Sequence, residues 1–419
     1  MKVLVVGAGG REHALVWALA RSSAVDMIVA APGNPGISEI AECVPLAEAL
    51  AAVERFDLVI IGPEQPLVDG LGDEIRARGV AVFGPSRAAA HLEGSKAWMK
   101  EIAAAAGVPT ARYAAFDHSR EADALAFLDT LPGLYVVKTD GLAGGKGVIV
   151  TESLAEARDS VRSYLSGDSF GDAGRTLVIE EGMRGPELSL LALCDGSTTA
   201  VALPPAQDFK RIGEDDAGPN TGGMGAYSPV PVADADVVEQ VMTKAVEPTL
   251  TALAQRGIEY RGILYAGIML TTEGPKLIEY NVRFGDPECQ VVVPRLASDL
   301  FDHCMEAASG RLSSPVRATD DACVLVVLAS EGYPVATRTG DVIEGLDRVA
   351  GIDDVTVFHA GTARSGDDLV TAGGRVLDVV ATGPTIAAAR ARAYEAVAHI
   401  SWPGVQYRRD IAARAGGGT

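Results

Sequence analysis

The first part of the chain alternates short apolar runs with segments of helical periodicity. The apolar runs each end in glycine or proline and lie within residues 2–14, 27–36, 57–66 and 80–86. Helical patterns such as Arg11–Arg21 and Leu67–Arg78 separate them. Strands that alternate with helices are typical of a parallel sheet, in which ligands bind beyond the carboxyl ends of the strands. We therefore predict an N-terminal parallel α/β domain over residues 1–102.

A glycine-rich hairpin marks the next part of the chain, which we predict to be a second domain over residues 103–310. Residues 141–147 read GLAGGKG and lie between two predicted strands. A P-loop lysine is followed by Ser or Thr and a helix, whereas Lys146 is followed by Gly147 and a strand. A lid over phosphates, within a subdomain at about 118–182, fits these glycines better. An ordinary glycine hairpin is the alternative.

The same domain contains a long segment without periodicity, residues 207–229, which has five glycines. Predicted hairpins precede it at 187–207 and follow it at 265–282. Long irregular loops inside compact domains are usually functional, so we expect this segment to contribute to a site.

The last part of the chain predicts a small C-terminal α+β domain over residues 311–419. Three apolar strands and one helix carry this prediction, at residues 323–330, 355–362, 375–383 and 385–400. The tail at 412–419 is rich in alanine and glycine, and we expect it to be disordered. The predicted fold class is therefore a multidomain α/β and α+β protein.

One predicted strand carries ordered chemistry on one face. Because side chains alternate along a strand, Glu279, Asn281 and Arg283 point one way. Ile278, Tyr280 and Val282 then point into apolar packing. Carboxylate and amide oxygens suit Mg²⁺, and a guanidinium suits phosphate. The alternative is the exposed polar face of an edge strand.

The N-terminal glycine turn, Gly7–Gly10, is followed by Arg11 at the start of a helix, where an anion would be favoured. A nicotinamide-binding fingerprint is the competing interpretation. It fails because the position of its third glycine is Glu12, and because no acidic residue ends the second strand at 29–31.

Composition excludes several classes of protein. The 419 residues carry a formal net charge of −20, which argues against a general nucleic-acid binder. The five cysteines are scattered, and no CxxC or HExxH motif indicates zinc or a disulfide framework. We expect a cytoplasmic protein, because Met1 runs directly into a strand and no apolar run reaches the length of a membrane span.

Several motifs together resemble one family. They are GAGGREHA at 7–14, GSKAWMK at 94–100, KTDGLAGGKGV at 138–148, GPNTGGMGAYSP at 218–229, RFGDPECQ at 283–290, LASEGYP at 328–334 and FHAGT at 358–362. The sequence resembles the phosphoribosylamine–glycine ligases (glycinamide ribonucleotide synthetases), which are ATP-grasp enzymes of purine biosynthesis. It departs from the family pattern at Phe209, where His is common, at Ala143-Gly144, and at Ala412, where a glycine is usual.

The resemblance implies an ATP-dependent joining of glycine to 5-phosphoribosylamine through glycyl phosphate. It implies that Lys138 and Arg283 act in catalysis and that Glu279 and Asn281 hold Mg²⁺ or Mn²⁺. The implied ATP-binding residues are Lys96, Lys138, Gly144, Gly145, Lys146, Glu180, Glu181, Met183 and Glu187. The implied substrate-binding residues are Gly9, Gly10, Arg11, Asp208, Lys210, Asn220, Thr221 and Asp286.

We expect small-molecule substrates only, without nucleic acid or membrane, and a monomer. Two other hypotheses stay open at this point. One is an ATP-grasp ligase that acts on a different acid and amine. The other is a non-catalytic nucleotide-binding protein of the same fold, since fold alone does not establish function.

Overall fold

A computed structural model describes residues 1–142, 147–166 and 176–415. The N-terminal region is a parallel five-stranded sheet in the order β3-β2-β1-β4-β5. Its strands are β1 (Lys2–Gly7), β2 (Met27–Pro32), β3 (Glu42–Cys43), β4 (Leu58–Ile61) and β5 (Ala81–Phe83). Its helices are α1 (Gly10–Leu19), α2 (Leu46–Ala51), α3 (Glu64–Asp69), α4 (Leu71–Ala77), α5 (Arg87–Gly94) and α6 (Lys96–Ala105). The predicted parallel α/β domain is confirmed, and its predicted boundary at residue 102 falls inside α6.

The predicted lid subdomain is a small antiparallel sheet with two helices. Its elements are β6 (Tyr113–Asp117), α7 (Glu121–Leu128), β7 (Tyr135–Thr139), β8 (Val148–Thr151), α8 (Leu154–Leu165) and β9 (Thr176–Glu181), with the sheet order β6-β9-β7-β8. Phe116, Val137 and Ile179 belong to a hydrophobic cluster separate from the other two in the chain. The subdomain therefore has its own core. The predicted lid residues Gly144, Gly145 and Lys146 lie outside the described residues.

The central region supplies the strands that carry the site. Its elements are β10 (Glu187–Asp195), β11 (Ala200–Ala202), β12 (Gln207–Asp208), β13 (Gly225–Ser228), α9 (Ala235–Val241), α10 (Glu247–Gln255), β14 (Arg261–Thr271), β15 (Gly274–Asn281), α11 (Cys289–Val292) and α12 (Leu300–Ser309). An antiparallel sheet has the order β11-β10-β14-β15, as the two predicted hairpins require.

A bulge corrects the predicted pattern of strand β15. Glu279 pairs with Gly267 and Leu277 with Ile268, so Ile278 is an extra residue in its strand. Leu277 is fully buried, whereas Ile278 is only half-buried and lines a cavity. The prediction that Ile278 packs into the apolar face is therefore wrong, because the bulge turns it out of that face.

The C-terminal region is the predicted α+β domain. Its elements are β16 (Ala322–Ala329), α13 (Leu346–Val349), β17 (Val355–His359), β18 (Thr362–Ser365), β19 (Asp368–Thr371), β20 (Arg375–Gly383) and α14 (Ile386–Val397). Its five-stranded sheet has the order β12-β13-β16-β20-β17. Two strands of this sheet come from residues 207–229, which we expected to be irregular. They pair only with each other and with distant β16, so no local periodicity marks them.

The C-terminal tail also differs from its prediction. Ala412, where we expected disorder to begin, is buried, as is Ile411 before it, while residues 416–419 lie outside the described residues. Arg390 of α14 holds the tail by donating to the carbonyls of Ile411 at 2.9 Å and Arg409 at 2.6 Å. Ala412 has a φ of 56°, which costs a residue other than glycine about 1 kcal/mol.

The N-terminal and C-terminal domains meet at two buried histidines. The backbone N–H of His359 donates to Nδ1 of His13 at 2.8 Å, and the two ring centroids are 5.7 Å apart. The side-chain amide of Asn34 donates to the carbonyls of Ala8 at 2.9 Å and His359 at 2.7 Å. Burial lowers the pKa of His13 to about 3 and that of His359 to about 4. Both rings are therefore neutral at pH 7.

In the part of the chain that the structure describes, no helix is long and apolar enough to cross a membrane.

The buried histidines predict a loss of stability in mild acid. In the unfolded chain, His13 and His359 become protonated below about pH 6.5. In the folded chain, they become protonated only near pH 3 to 4. The free energy of unfolding should therefore fall as the pH drops below 6.5, by about 2 kcal/mol per histidine at pH 5. Urea unfolding at pH 7.5 and pH 5 would measure it.

The variant His13→Gln keeps an acceptor for the His359 N–H but does not titrate. Between pH 7.5 and pH 5, we expect the free energy of unfolding of this variant to fall by about 2 kcal/mol less than that of the parent protein. The exposed His118, changed to Gln, is the matched control. Equal losses in the parent and in His13→Gln would show that this junction does not control acid stability.

Candidate active site

Two adjoining cavities lie where the domains meet. The main cavity, of about 1230 Å³, is lined by the N-terminal domain, the lid sheet, the central sheet and the C-terminal tail. The second, of about 480 Å³, lies between the glycine turn at Gly9 and the C-terminal residues Gly361 and Thr362. Asp286 and Arg375 line both cavities.

Most of the predicted site residues line the main cavity. They are Arg11, Lys96, Lys138, Glu180, Glu181, Met183, Glu187, Asp208, Lys210, Asn220, Thr221, Glu279, Asn281, Arg283 and Asp286. Gly9 lines the second cavity instead. Gly10 faces neither, because a Cβ there would come within 1.9 Å of the Asp378 carboxylate. The structure thus brings together residues that are up to 275 positions apart (286 − 11).

Two lysines share one buried carboxylate at the lid end of the cavity. Nζ of Lys138 on β7 lies 2.9 Å from Glu180, and Nζ of Lys100 on α6 lies 3.0 Å from it. Burial alone would raise the pKa of Glu180, but the two lysine charges hold it below its ordinary value. Burial would likewise lower the pKa of Lys138, but Glu180 and Glu279 hold it above its ordinary value. Lys138 therefore stays charged and directed at the cavity.

Lys96 is tied to the first residues of the predicted lid. Its Nζ donates to the carbonyl of Gly141 at 2.8 Å. Beside it, Asp140 accepts from the Ser95 hydroxyl at 3.0 Å and from the Ala97 N–H at 3.2 Å. The start of α6 and the base of the lid are thus joined at the cavity wall.

Arg283 is held by two carboxylates from the N-terminal domain. Its Nε lies 3.2 Å from Glu64 at the start of α3, and Nη2 lies 2.9 Å from Glu93 on α5. Nη2 also donates to the side-chain oxygen of Asn281 at 3.2 Å. Burial alone would lower the pKa of Arg283, but Glu93 and Glu64 hold it above its ordinary value. The guanidinium is therefore charged and fixed beside Asn281.

Glu279 and Asn281 fit a cation whose remaining ligands are supplied mainly by water or by substrate. Both line the cavity from strand β15, and among the described residues the Glu279 carboxylate has neither a hydrogen bond nor an ion pair. The described part of the chain contains no cluster of three or more His, Cys, Asp or Glu that could hold a metal. A carboxylate and an amide together with substrate phosphates are a donor set that Mg²⁺ accepts.

Lys210, which also lines the main cavity, bridges two carboxylates. Its Nζ lies 2.5 Å from Glu187 at the start of β10 and 3.0 Å from Asp208 on β12. Burial raises the pKa of Asp208 to about 7, although Lys210 opposes the rise. Thr221 anchors the backbone of Lys210 by donating its N–H and its hydroxyl to the Lys210 carbonyl, at 2.7 Å and 2.9 Å.

The glycine turn of the N-terminal domain surrounds a carboxylate of its own chain. Glu12 accepts from Nε of Arg11 and from the N–H of Gly9, both at 2.6 Å. A Cβ on Gly62 would lie 2.0 Å from the same carboxylate. These glycines make room for Glu12, which sequence reasoning used only to argue against a dinucleotide site.

The charged residues of the site that sequence reasoning missed include Glu64, Glu93, Lys100 and Arg375. Nη2 of Arg375, the first residue of β20, lies 2.8 Å from Asp286, and Nη1 donates to the carbonyl of Gly222 at 2.6 Å. Lys100 could have been found, since it lies one helical turn after Lys96. Arg375 carries no such signal, because it lies in a strand predicted only from its apolar residues.

Three domain models of one family match the chain. They describe the N domain, the ATP-grasp (A) domain and the C domain of phosphoribosylglycinamide synthetase, and they match residues 1–93, 94–289 and 323–414. The chain belongs to the phosphoribosylglycinamide synthetase family. The predicted family, fold class and ligase activity are thereby confirmed, whereas the predicted domain boundaries and site residues stay predictions.

Curated relatives are similar over the whole chain. Phosphoribosylamine–glycine ligases of Brucella melitensis and Streptomyces coelicolor are 49% and 48% identical, and the matches cover 99% and 100% of this chain and 98% and 100% of the relatives. The crystal structure of the same enzyme from Thermotoga maritima has a TM-score of 0.86 at 34% identity, covering 98% of this chain and all of that one.

More distant structures share the fold alone. The biotin carboxylase domain of Hydrogenobacter thermophilus 2-oxoglutarate carboxylase has a TM-score of 0.74 at 18% identity, covering 97% of this chain and 91% of that one. Its structure is a complex with magnesium ADP and bicarbonate.

The shared carboxylate predicts the effect of Glu180→Gln. Removing one charge leaves two buried lysines without a counterion, which should lower the free energy of unfolding by about 3 kcal/mol. It should also weaken ATP binding, because Lys138 would lose its charge or its position. Urea unfolding and ATP titration would measure both effects. Glu181→Gln, at the neighbouring and more exposed position, should change stability by less than about 0.5 kcal/mol. Equal losses in the free energy of unfolding of the two variants would contradict this account.

Proposed function

We propose that the protein uses ATP to convert the carboxylate of glycine to glycyl phosphate. The amine of 5-phosphoribosylamine then attacks the acyl carbon, phosphate leaves, and the products are glycinamide ribonucleotide, ADP and phosphate. A carboxylate is a poor electrophile and an acyl phosphate is a good one. Phosphoryl transfer between anions depends on charge neutralisation and alignment. The observation that carries the proposal is the meeting of Lys96, Lys138 and Arg283 in one cavity beside Glu279 and Asn281.

The lysines at the lid end would bind the ATP phosphates. Lys138 is positioned by Glu180, and Lys96 by the carbonyl of Gly141. The segment with Gly144, Gly145 and Lys146 would close over the phosphates and exclude water, which would otherwise hydrolyse glycyl phosphate. Glu181, the last residue of β9, and Met183, two residues further along the chain, would line the adenine site, with Glu187 at the ribose.

The metal site would consist of Glu279 and Asn281 with the ATP phosphates. Mg²⁺ or Mn²⁺ bound there would neutralise phosphate charge during transfer. Arg283, which donates to Asn281, would stabilise the transferring phosphoryl group on the same side of the cavity.

The metal assignment predicts the effect of Glu279→Gln. This change keeps the size of the side chain but removes the charge that would hold the cation. We expect kcat to fall by about 100-fold or more, with partial recovery at high Mg²⁺. Titration of the protein with Mn²⁺ and a non-hydrolysable ATP analogue should show weaker metal binding. The control Glu273→Gln, at the exposed turn before β15, should leave both measurements unchanged. Near-normal rates of Glu279→Gln at ordinary Mg²⁺ would refute the assignment.

The two remaining substrates would bind at the other end of the site. Asp208, Lys210, Asn220 and Thr221 would surround glycine, which needs a cation for its carboxylate. Phosphoribosylamine would lie where the two cavities adjoin, beside Asp286. Its phosphate would face Gly9 and Arg11, whereas Gly10, which lines neither cavity, is not part of this placement. Support for this placement comes from Arg375, which lines both cavities and has an Nε–H without a hydrogen bond among the described residues.

This placement predicts the effect of Arg375→Gln. Loss of a charge-assisted contact to phosphate should raise KM for phosphoribosylamine by roughly 10- to 150-fold. KM for ATP should change little, because ATP would bind at the lid end. Steady-state kinetics with each substrate varied in turn would measure this, with the exposed Arg348→Gln as control. Steady-state kinetics of Arg11→Gln would test in the same way whether Arg11 binds the phosphate of phosphoribosylamine. Equal changes in all three KM values would exclude Arg375 from the phosphate site.

The reaction itself is tested by product identification. Incubation with ATP, glycine and phosphoribosylamine should give the mass of glycinamide ribonucleotide, and omission of any one substrate should abolish it. A different acid or amine in the product would refute the proposed pair.

We further propose that the protein is a cytoplasmic monomer. Five free cysteines support a reducing compartment.

A further inference from the structure

The C-terminal segment 408–414 packs against a wall of the main cavity. Its partner is the segment 209–221, which follows β12 and carries Lys210, Asn220 and Thr221. The N–H of Asp215 donates to Asp410 at 2.9 Å, and the N–H of Arg409 donates to Glu214 at 3.3 Å. The tip of the segment therefore has hydrogen bonds to the tail in addition to those within the segment, such as the Gly213 N–H to the Ala217 carbonyl at 3.0 Å.

A buried guanidinium lies at the centre of this junction. The side chain of Arg408 is 1% exposed. Nε and Nη2 donate to the two carboxylate oxygens of Asp410 at 2.8 Å and 2.6 Å. Nη1 donates to the Asp216 carboxylate at 2.8 Å and to the Arg211 carbonyl at 3.1 Å. Four of its five N–H groups thus have partners within the protein. Arg408 therefore stabilises the protein structure and has little capacity left to bind a ligand.

The backbone at the junction is strained on both sides. The described residues include four non-glycine residues with left-handed φ, and three of them meet here: Asp215 at 53°, Asp216 at 56° and Ala412 at 56°. Such conformations persist only where the surroundings impose them, and they concentrate at functional sites. Arg408 contacts Asp216 directly and contacts Asp410, two residues before Ala412.

The same guanidinium holds the chain on both sides of Lys210. Its carbon lies 5.0 Å from the ring centroid of Phe209, and its Nη1 binds the carbonyl of Arg211. Lys210 lies between these two residues and bridges Asp208 and Glu187. A shift of Arg408 would therefore move the Lys210 ammonium relative to the cavity.

We propose that Arg408 is a positioning residue that sets the place of Lys210 from the C-terminal tail. The inference rests on the proposed function, in which Lys210 binds the carboxylate of glycine. The C-terminal tail thereby takes part in substrate binding through a single buried ion pair network, without contacting the substrate.

The test is steady-state kinetics of Arg408→Met with each substrate varied in turn. We expect KM for glycine to rise about tenfold or more, while KM for ATP changes by a clearly smaller factor, because Lys210 would affect the ATP site only through its ion pair with Glu187. The matched control is Arg409→Met, which removes the same charge from the exposed neighbouring residue and should leave all KM values unchanged.

A milder variant covers the case in which Arg408→Met fails to fold. Asp216→Asn weakens one anchor of the guanidinium, and its side chain is 64% exposed, so the fold should survive. We expect KM for glycine to rise about threefold. Because Arg408 acts through Lys210, adding Asp216→Asn to Lys210→Met should raise KM for glycine by no more than about 1.5-fold.

The outcomes separate this inference from the proposed function. If Lys210→Met alone leaves KM for glycine unchanged, the proposed role of Lys210 fails, and the inference with it. If Lys210→Met raises it but Asp216→Asn and Arg408→Met do not, only the positioning role fails. Equal changes in KM for all three substrates, or full additivity with Lys210→Met, would also overturn the positioning role.

Discussion

Ion pairs with carboxylates of the protein hold five cations of the site in place. The pairs are Lys138 with Glu180, Arg283 with Glu93, Arg11 with Glu12, Lys210 with Asp208, and Arg375 with Asp286. Unpaired cations in a buried site would lose their protons or repel one another. Pairing keeps them charged and fixed before any anionic substrate arrives. Such preorganisation is the main requirement of phosphoryl transfer, because the protein need not reorganise when charge moves.

Two of these pairs join different domains, so the site depends on domain packing. Arg283 belongs to the central region, and its carboxylates Glu64 and Glu93 come from the N-terminal domain. Arg375 on β20 of the C-terminal domain binds Asp286 of the central region. The His13–His359 contact fastens the outer two domains beside the second cavity. An isolated domain would therefore expose cations or carboxylates without partners.

The motif residues were largely predictable, and their supporting partners were not. Glu279, Asn281 and Arg283 could be placed on one face because a strand alternates its side chains. Their neighbour Ile278 could not, because a bulge depends on pairing with Gly267 and Ile268 of another strand. The sequence places Glu180 only among the residues expected to bind ATP, and only packing shows that its carboxylate pairs with Lys100 and Lys138.

The sequence by itself determined the class of each domain and the chemistry available to it. Apolar period and glycine placement are local properties, so the parallel sheet, the hairpins and the C-terminal α+β pattern could be inferred from them. Tertiary structure alone decided that residues 207–228 complete the C-terminal sheet and that the tail packs on the cavity wall. These arrangements rest on contacts between residues nearly 200 positions apart, such as Asp216 with Arg408 (408 − 216 = 192). No local pattern encodes such contacts, because each partner is favourable only when the other is already in place.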